Sequence, residues 1–314
     1  MLNRRHIRVK VLQTIYAMHQ SGSDDLVKEQ KFLLSSMEDV LELYLIMIST
    51  LIEVRSKEET FLELSSKKHL ATTEELDPNR KFVKNSVLNF LANNKSLLAA
   101  IEKYKITNWK LNDDVIVFLL ESIKSSTFYK SYMSNRINTF EEDKRFVIDL
   151  FSEVIAPNEK LYDYLEDYRL TWVDDIPVVN TNILKQLKLI TVAEEKSFSV
   201  PELFKDSEDV DFAKELFKKT VLNEYELAKE FIDRTPNWDP ERISEVDTIM
   251  LKMAICEFLR FPSIPVKVTI NEYLEIAKEY ATPKSSLFIN GILDNLVKDF
   301  EKTKKLNKTG RGLM

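Results

Sequence analysis

Apolar positions recur at helical spacing along nearly the whole chain, and the densest run lies between residues 243 and 296. Ser244-Glu245-Val246-Asp247 has the pattern of a capping box, with a hydroxyl and an acid three residues apart to satisfy orphan backbone N–H groups. The helix it opens is apolar on almost every side from Val246 to Leu259, which predicts a central position with other helices around it. Pro262 and Pro265 stop it. Thr269-Ile270-Asn271-Glu272 reads as a second capping box, and Thr282-Pro283 as a third start, with Thr as N-cap and Pro at the first helical position. The last helix carries Leu287, Phe288, Ile289, Ile292, Leu293, Leu296, Val297 and Phe300. At the other end of the chain, Asn3 to Gln20 predicts one helix. Ile7, Val11, Ile15 and Met18 form its inward stripe, while Arg5, Val9, Leu12 and Tyr16 form the neighbouring one.

Between these ends the pattern stays helical. Leu26 to Leu70 is amphipathic and fits one long helix or two stacked ones. Thr72 to Asn79 is a loop. Shorter helices are expected at 80–92, 96–104, 113–134, 139–155, 159–168 and 182–189. Residues 192–207, with Pro201, form the best linker, and 208–234 is a helix or a pair leading to a loop at 235–240. No period of 20 to 50 residues repeats, so a solenoid has no support. The fold class is all-α.

Composition narrows the chemistry. The 314 residues include four glycines, none in a Gly-x-Gly or Gly-Lys-Ser/Thr setting between a strand and a helix, which excludes a Rossmann dinucleotide site and a P-loop. The lone Cys256 lies in the most apolar helix and reads as a small core hydrophobe. The three histidines have no ligand spacing, so neither a metal nor a cofactor is expected, and no catalytic residue is assigned. No run of 18 apolar residues and no h-region occurs, from which a cytoplasmic protein without a membrane anchor is expected. Residues 1–23 carry Arg4, Arg5, Arg8 and Lys10 with no acid, and residues 302–314 carry five cations with no acid. Setting those nine aside from a net charge of −6 leaves −15 on the body. Such a chain meets a polyanion at its ends and repels it elsewhere.

Two separated blocks resemble one family. Arg4-Arg5-His6-Ile7-Arg8-Val9-Lys10-Val11-Leu12-Gln13-Thr14-Ile15-Tyr16 is similar to the Arg-rich first helix of NusB, the bacterial transcription antitermination factor. Ser244 to Phe258 resembles the family's buried helix, Val266-Lys267-Val268-Thr269-Ile270-Asn271-Glu272 its "PYKVAINE"-like stretch, Glu275-Ile276-Ala277-Lys278 its "ELAK" and Phe288-Ile289-Asn290-Gly291-Ile292-Leu293-Asp294 its "FVNGVLD". With 208–234 the likeness covers about 120 residues. The expected division is therefore an N-terminal helix at 1–23, an enlarged helical middle at 24–207 without a family match, a C-terminal subdomain at 208–301 and a basic, disordered tail at 302–314.

The resemblance implies an all-helical fold of two small subdomains and no catalysis. It implies binding of boxA-type RNA in ribosomal RNA transcripts, together with the small-subunit ribosomal protein that acts as NusE, on the transcription elongation complex. Arg4, Arg5, Arg8 and Lys10 suit phosphates, and Tyr16 suits a splayed base. Free N–H groups, two hydroxyls and a cation at Lys284-Ser285-Ser286 suit an anion at a helix N-terminus, with Phe288 one turn on as a stacking surface or core residue. Some relatives carry an acid where Lys284 stands. Lys267 is expected on the RNA backbone, and Asp247 and Lys252 on the partner protein. The opening helix and the Pro283 turn are expected to form one positive patch. Gly291, in mid-helix, is read as a close-packing point. The competing class is a helical interaction scaffold whose middle does the work and whose RNA binding is residual.

Overall fold

The computed structural model describes residues 1–192, 198–232 and 243–309. Among them are sixteen α-helices, a 3-10 turn and a π turn, with no strand. The chain divides into two compact units, one of residues 38–203 with Met1, the other of residues 2–37 and 204–314.

The second unit holds α1 (Arg4–Ser21), the first part of α2 (Leu26–Ser66), α12 (Ser207–Leu222), α13 (Glu224–Ile232), α14 (Glu245–Arg260), α15 (Val266–Tyr280) and α16 (Ser285–Lys302). Its centre is α14, where Ile249, Met250, Leu251, Met253, Ala254, Ile255, Cys256 and Phe258 are all buried, as a helix without a polar face must be. Around it lie α1, α12, α13, α15 and α16. On α1 the stripe Ile7, Val11, Ile15 and Met18 is buried as the pattern requires. Asn3 caps this helix, accepting from the Arg5 and His6 N–H groups, and Gly22 ends it in the left-handed conformation (φ 63°), which glycine adopts without a steric penalty.

Three local expectations change. The helix expected to start at Thr269 starts at Val266, because Pro265 supplies the extended N-cap and the Thr269 hydroxyl turns inward to Glu257 Oε2 (3.0 Å). The start expected at Thr282 is a turn, closed by Ser285 N–H on Thr282 O (2.9 Å), and α16 begins at Ser285. Gly291 is exposed and a Cβ there would meet nothing within 4 Å, so close packing does not explain it. The tail is also more ordered than its charge suggests. Lys305 pairs with Glu230 (2.8 Å), Lys308 donates to Glu257 O and Phe261 O (2.8 and 2.9 Å), and Thr309 N–H reaches Pro262 O (3.0 Å). Carbonyls at the C-terminal end of α14, with a second lone pair to spare, are natural partners for an ammonium group. Residues 310–314 lie outside the described residues, as do the expected loop at 235–240 and part of the expected linker, 193–197.

The first unit holds the rest of α2, which is one continuous helix of 41 residues, and α3 (Thr73–Leu76), α4 (Ser86–Asn93), α5 (Lys95–Lys103), α6 (Asn108–Leu111), α7 (Asp113–Ser125), α8 (Thr127–Tyr132), α9 (Phe140–Leu150), α10 (Glu159–Tyr168) and α11 (Ile176–Leu189). Its apolar core includes Tyr44, Phe82, Leu119, Phe151 and Trp172. Lys81 is buried inside it, donating to Glu142 (2.7 Å) and Asn135 (3.0 Å) over the Tyr132 ring. Phe198, in the expected linker, is buried and therefore belongs to this core.

Candidate nucleic-acid interface

The first two turns of α1 carry three arginines, and each finds a different carboxylate. Arg4 Nε lies 2.6 Å from Asp209 Oδ1 of α12, with its guanidinium 4.4 Å above the Phe212 ring. Arg5 grips Glu272 of α15 with two prongs, Nε to Oε2 at 3.0 Å and Nη2 to Oε1 at 3.1 Å. Arg8 does the same to Glu257 of α14 at 2.7 and 2.9 Å. The fork geometry of guanidinium on carboxylate explains why arginine, rather than lysine, stands at these positions.

Their accessibility separates them. Arg4 and Arg5 keep 39% and 36% of their side chains exposed, whereas Arg8 keeps 2%. The expected phosphate role of Arg8 is accordingly corrected: its donors are committed to Glu257 and Arg4 O, and Phe212 lies under it (5.1 Å). Burial opposes the Arg8 charge, but the charge and hydrogen bonds of Glu257 more than offset it and hold the guanidinium above its ordinary range. Tyr273 also donates to Glu257 (2.8 Å), and burial followed by the Glu257 charge keeps its phenol protonated far above the usual pH. Lys10 is likewise buried, which removes it from an outer surface. His6 is held below its usual range by burial and by Arg5. The neutral ring this favours fits Nδ1 accepting from Asn3 N–H at 3.2 Å.

Arg4 and Arg5 line an open groove of about 680 Å³, floored by Ser263, Ile264 and Pro265 and edged by Val268 and Glu272. Lys267 stands exposed on the same first turn of α15, and Tyr16 is exposed further along α1.

The α16 turn lies elsewhere. Ser285 is buried and donates to Asp247 Oδ2 (2.9 Å) on the first turn of α14, with the Thr282 hydroxyl beside it (2.9 Å). Arg8 meets α14 ten residues further on, at Glu257, a rise of about 15 Å. The expectation of one merged patch is thus replaced by two cationic points separated along α14, Arg4 and Arg5 near one and Lys284 near the other. Lys284 is exposed, and Ser286 and Phe288 are part-exposed. Asp247 and Lys252, expected on a partner, are occupied within the unit. Asp247 is buried, and Lys252 donates to Glu224 (2.9 Å) with 11% of its side chain exposed. Glu224 also meets His19 Nε2 (2.8 Å), whose Nδ1 faces Glu245 (3.0 Å).

Sequence reasoning missed Asp209, Phe212, Glu257 and Glu272, the groups that position the arginines. Only the INE block hinted at Glu272, and it read there as a capping acid. Among the described residues no group of three or more His, Cys, Asp or Glu side chains is arranged to hold a metal ion, and no helix is long and apolar enough to cross a membrane.

An all-helical unit with a buried central helix and an arginine-lined groove at the start of its first helix is the class of protein these features define. The NusB family model matches residues 182–298. A transcription antitermination protein NusB of Salinibacter ruber is 43% identical over 113 residues, 36% of this chain and 70% of that protein. The NusB of Chloroherpeton thalassium is 35% identical over 116 residues, 37% of this chain and 55% of its own length, and that of Clostridium kluyveri 43% identical over 97 residues, 31% and 62%. The chain belongs to the NusB family, with an added region that makes it longer than those relatives. No solved structure matches.

Proposed function

We propose that this protein is an RNA-binding transcription antitermination factor that performs no catalysis. It takes boxA-type RNA of ribosomal RNA transcripts, binds it together with the small-subunit ribosomal protein acting as NusE, and acts on the elongating RNA polymerase in the cytoplasm. The observation that carries this reading is the half-exposed Arg5 fork at the lip of an open groove, in a chain whose matched relatives are named transcription antitermination proteins. A guanidinium held at the correct height by Glu272, yet open to solvent, is ready for phosphate or for the plane of an unpaired base. Arg4 and Lys267 extend the contact at that end, and Lys284 with Ser286 and Phe288 forms a second anchor for an extended strand. Tyr16 adds a stacking face. The partner surface includes the α13–α14 corner beside Lys252.

Binding of a labelled boxA RNA by the full chain, with and without the ribosomal protein, tests this reading. Arg5→Glu and Lys284→Glu are each expected to weaken binding with the fold intact by circular dichroism. Unchanged affinity in both removes the surface, and strong capture of a protein partner without any RNA binding favours the scaffold class instead.

A further inference from the structure

The first unit carries a groove of about 630 Å³ that the reading above does not use. Its wall is one face of α4, on which Ser86, Asn89, Phe90 and Asn93 follow at helical spacing, and Lys95 and Phe198 complete it. Asn94 builds the corner. Its side chain accepts from Leu97 N–H to cap α5 (2.9 Å) and donates to Phe198 O (3.2 Å), which holds the Phe198 ring edge-on to Phe90 with centroids 6.3 Å apart.

A part-exposed aromatic ring, Phe90, backed by the buried Phe198 at a groove lined with amides, is a combination with a definite chemical use. Ring faces stack on unpaired bases of any sequence, and an amide offers a donor and an acceptor to a base edge. Asn89 and Asn93 each spend one N–H on the backbone, at Val83 O (3.3 Å) and Asn89 O (2.8 Å), and their Oδ1 atoms accept no hydrogen bond among the described residues. The Ser86 hydroxyl at the base of the groove is buried without a partner. Charge selects the ligand. Residues 79–101 hold Arg80, Lys81, Lys84 and Lys95 with no acid, in a chain of net charge −6. Lys81 is spent on Glu142, but Lys84 and Lys95 are exposed. An extended neutral peptide would use the amides and rings but not this cationic stretch, whereas a phosphodiester strand uses all three.

We infer that the α4–α5 groove of the inserted unit is a second binding site, for unstacked bases of single-stranded RNA, with the part-exposed Phe90 stacking and the buried Phe198 backing it, Asn89 and Asn93 reading base edges and Lys95 meeting phosphate. This site stands on its own geometry and does not require the Arg5 surface to bind RNA.

The test uses the full chain and a single-stranded 12-mer RNA containing 4-thiouridine, in wild type and in the Arg5→Glu, Lys284→Glu double variant. Photocrosslinks mapped by mass spectrometry are expected within residues 86–96 in both proteins. Asn93→Ala with Lys95→Glu, two exposed positions that leave the core untouched, is expected to weaken binding by the double variant about tenfold or more. If Arg5→Glu and Lys284→Glu abolish binding and no crosslink falls in the groove, the proposed function stands and this site is overturned. If crosslinks fall in the groove while those two substitutions change nothing, the reverse holds. Chemical shifts at α4 that respond to a neutral extended nonapeptide and not to the RNA also overturn it.

Discussion

Arg8 and Glu257 face each other inside the second unit, the guanidinium 2% exposed and the carboxylate 0%, joined by bonds of 2.7 and 2.9 Å from two separate nitrogens. Thr269 and Tyr273 donate to the same carboxylate, so three helices meet at one charge. Removing one partner of such a pair strands the other away from water, at a cost of about 3–5 kcal/mol. Glu257→Ala is expected to destabilise the protein by that order, seen as a lower urea midpoint. Arg5→Ala, four-tenths exposed at most and solvated when released, is expected to cost about 1 kcal/mol or less.

Glu272 competes with RNA for Arg5. Glu272→Gln removes the carboxylate charge while keeping the shape, and is expected to tighten RNA binding several-fold. Arg5→Ala is expected to lower the slope of log affinity against log salt by about one. Fluorescence titrations between 50 and 200 mM salt, on the order of the usual range, check both signs.

Gly291 stands exposed on α16 with open space around its Cα. Alanine there costs nothing in contacts and gains helix propensity, so Gly291→Ala is expected to stabilise the protein by about 1 kcal/mol. Thermal unfolding followed by circular dichroism measures it.

Cys256 is fully buried, and burial pushes its thiol up to about 11. Thiolate is therefore scarce at pH 8, and access is closed. Reaction with Ellman's reagent is expected to proceed at the rate of opening rather than at the rate of a free thiol, and to become immediate in denaturant.

Lys308 is pulled down to about 8 by burial, against an ordinary value of 10.5. Between those values the unfolded chain binds a proton that the folded chain does not, so stability rises with pH through this window. The stability difference between wild type and Lys308→Met is expected to move in favour of wild type from pH 8 to 10.5. The group is half exposed, so the change is on the order of 1 kcal/mol.

The helices were legible because their apolar periodicity is strong, and α14 above all because it lacks a polar face. Two features were not. Thr269 followed by Glu272 has the spacing of a capping box, yet Pro265 already provides an N-cap upstream and both side chains serve tertiary partners, Glu257 and Arg5. Likewise, four cations in one stretch of α1 read alike in sequence. Arg8 differs from Arg5 only in rotation about the helix, which turns its guanidinium toward a glutamate 249 residues away. Local pattern carries no record of such distant partners. The family block at 244–294 was legible from its motifs, while the Asn and Phe positions of α4 drew no attention because that stretch resembles nothing in the family.

The second unit is assembled from residues 2–37 and 204–314, with the whole of the other unit strung between them. On a ribosome the apolar stripe of α1 therefore emerges long before α12, α14 and α15 exist to cover it. At about 5–20 residues per second the wait is on the order of 10–50 s. During synthesis that helix depends on a chaperone or on its own amphipathic solubility, and the inserted unit, whose residues are nearly contiguous, is complete first.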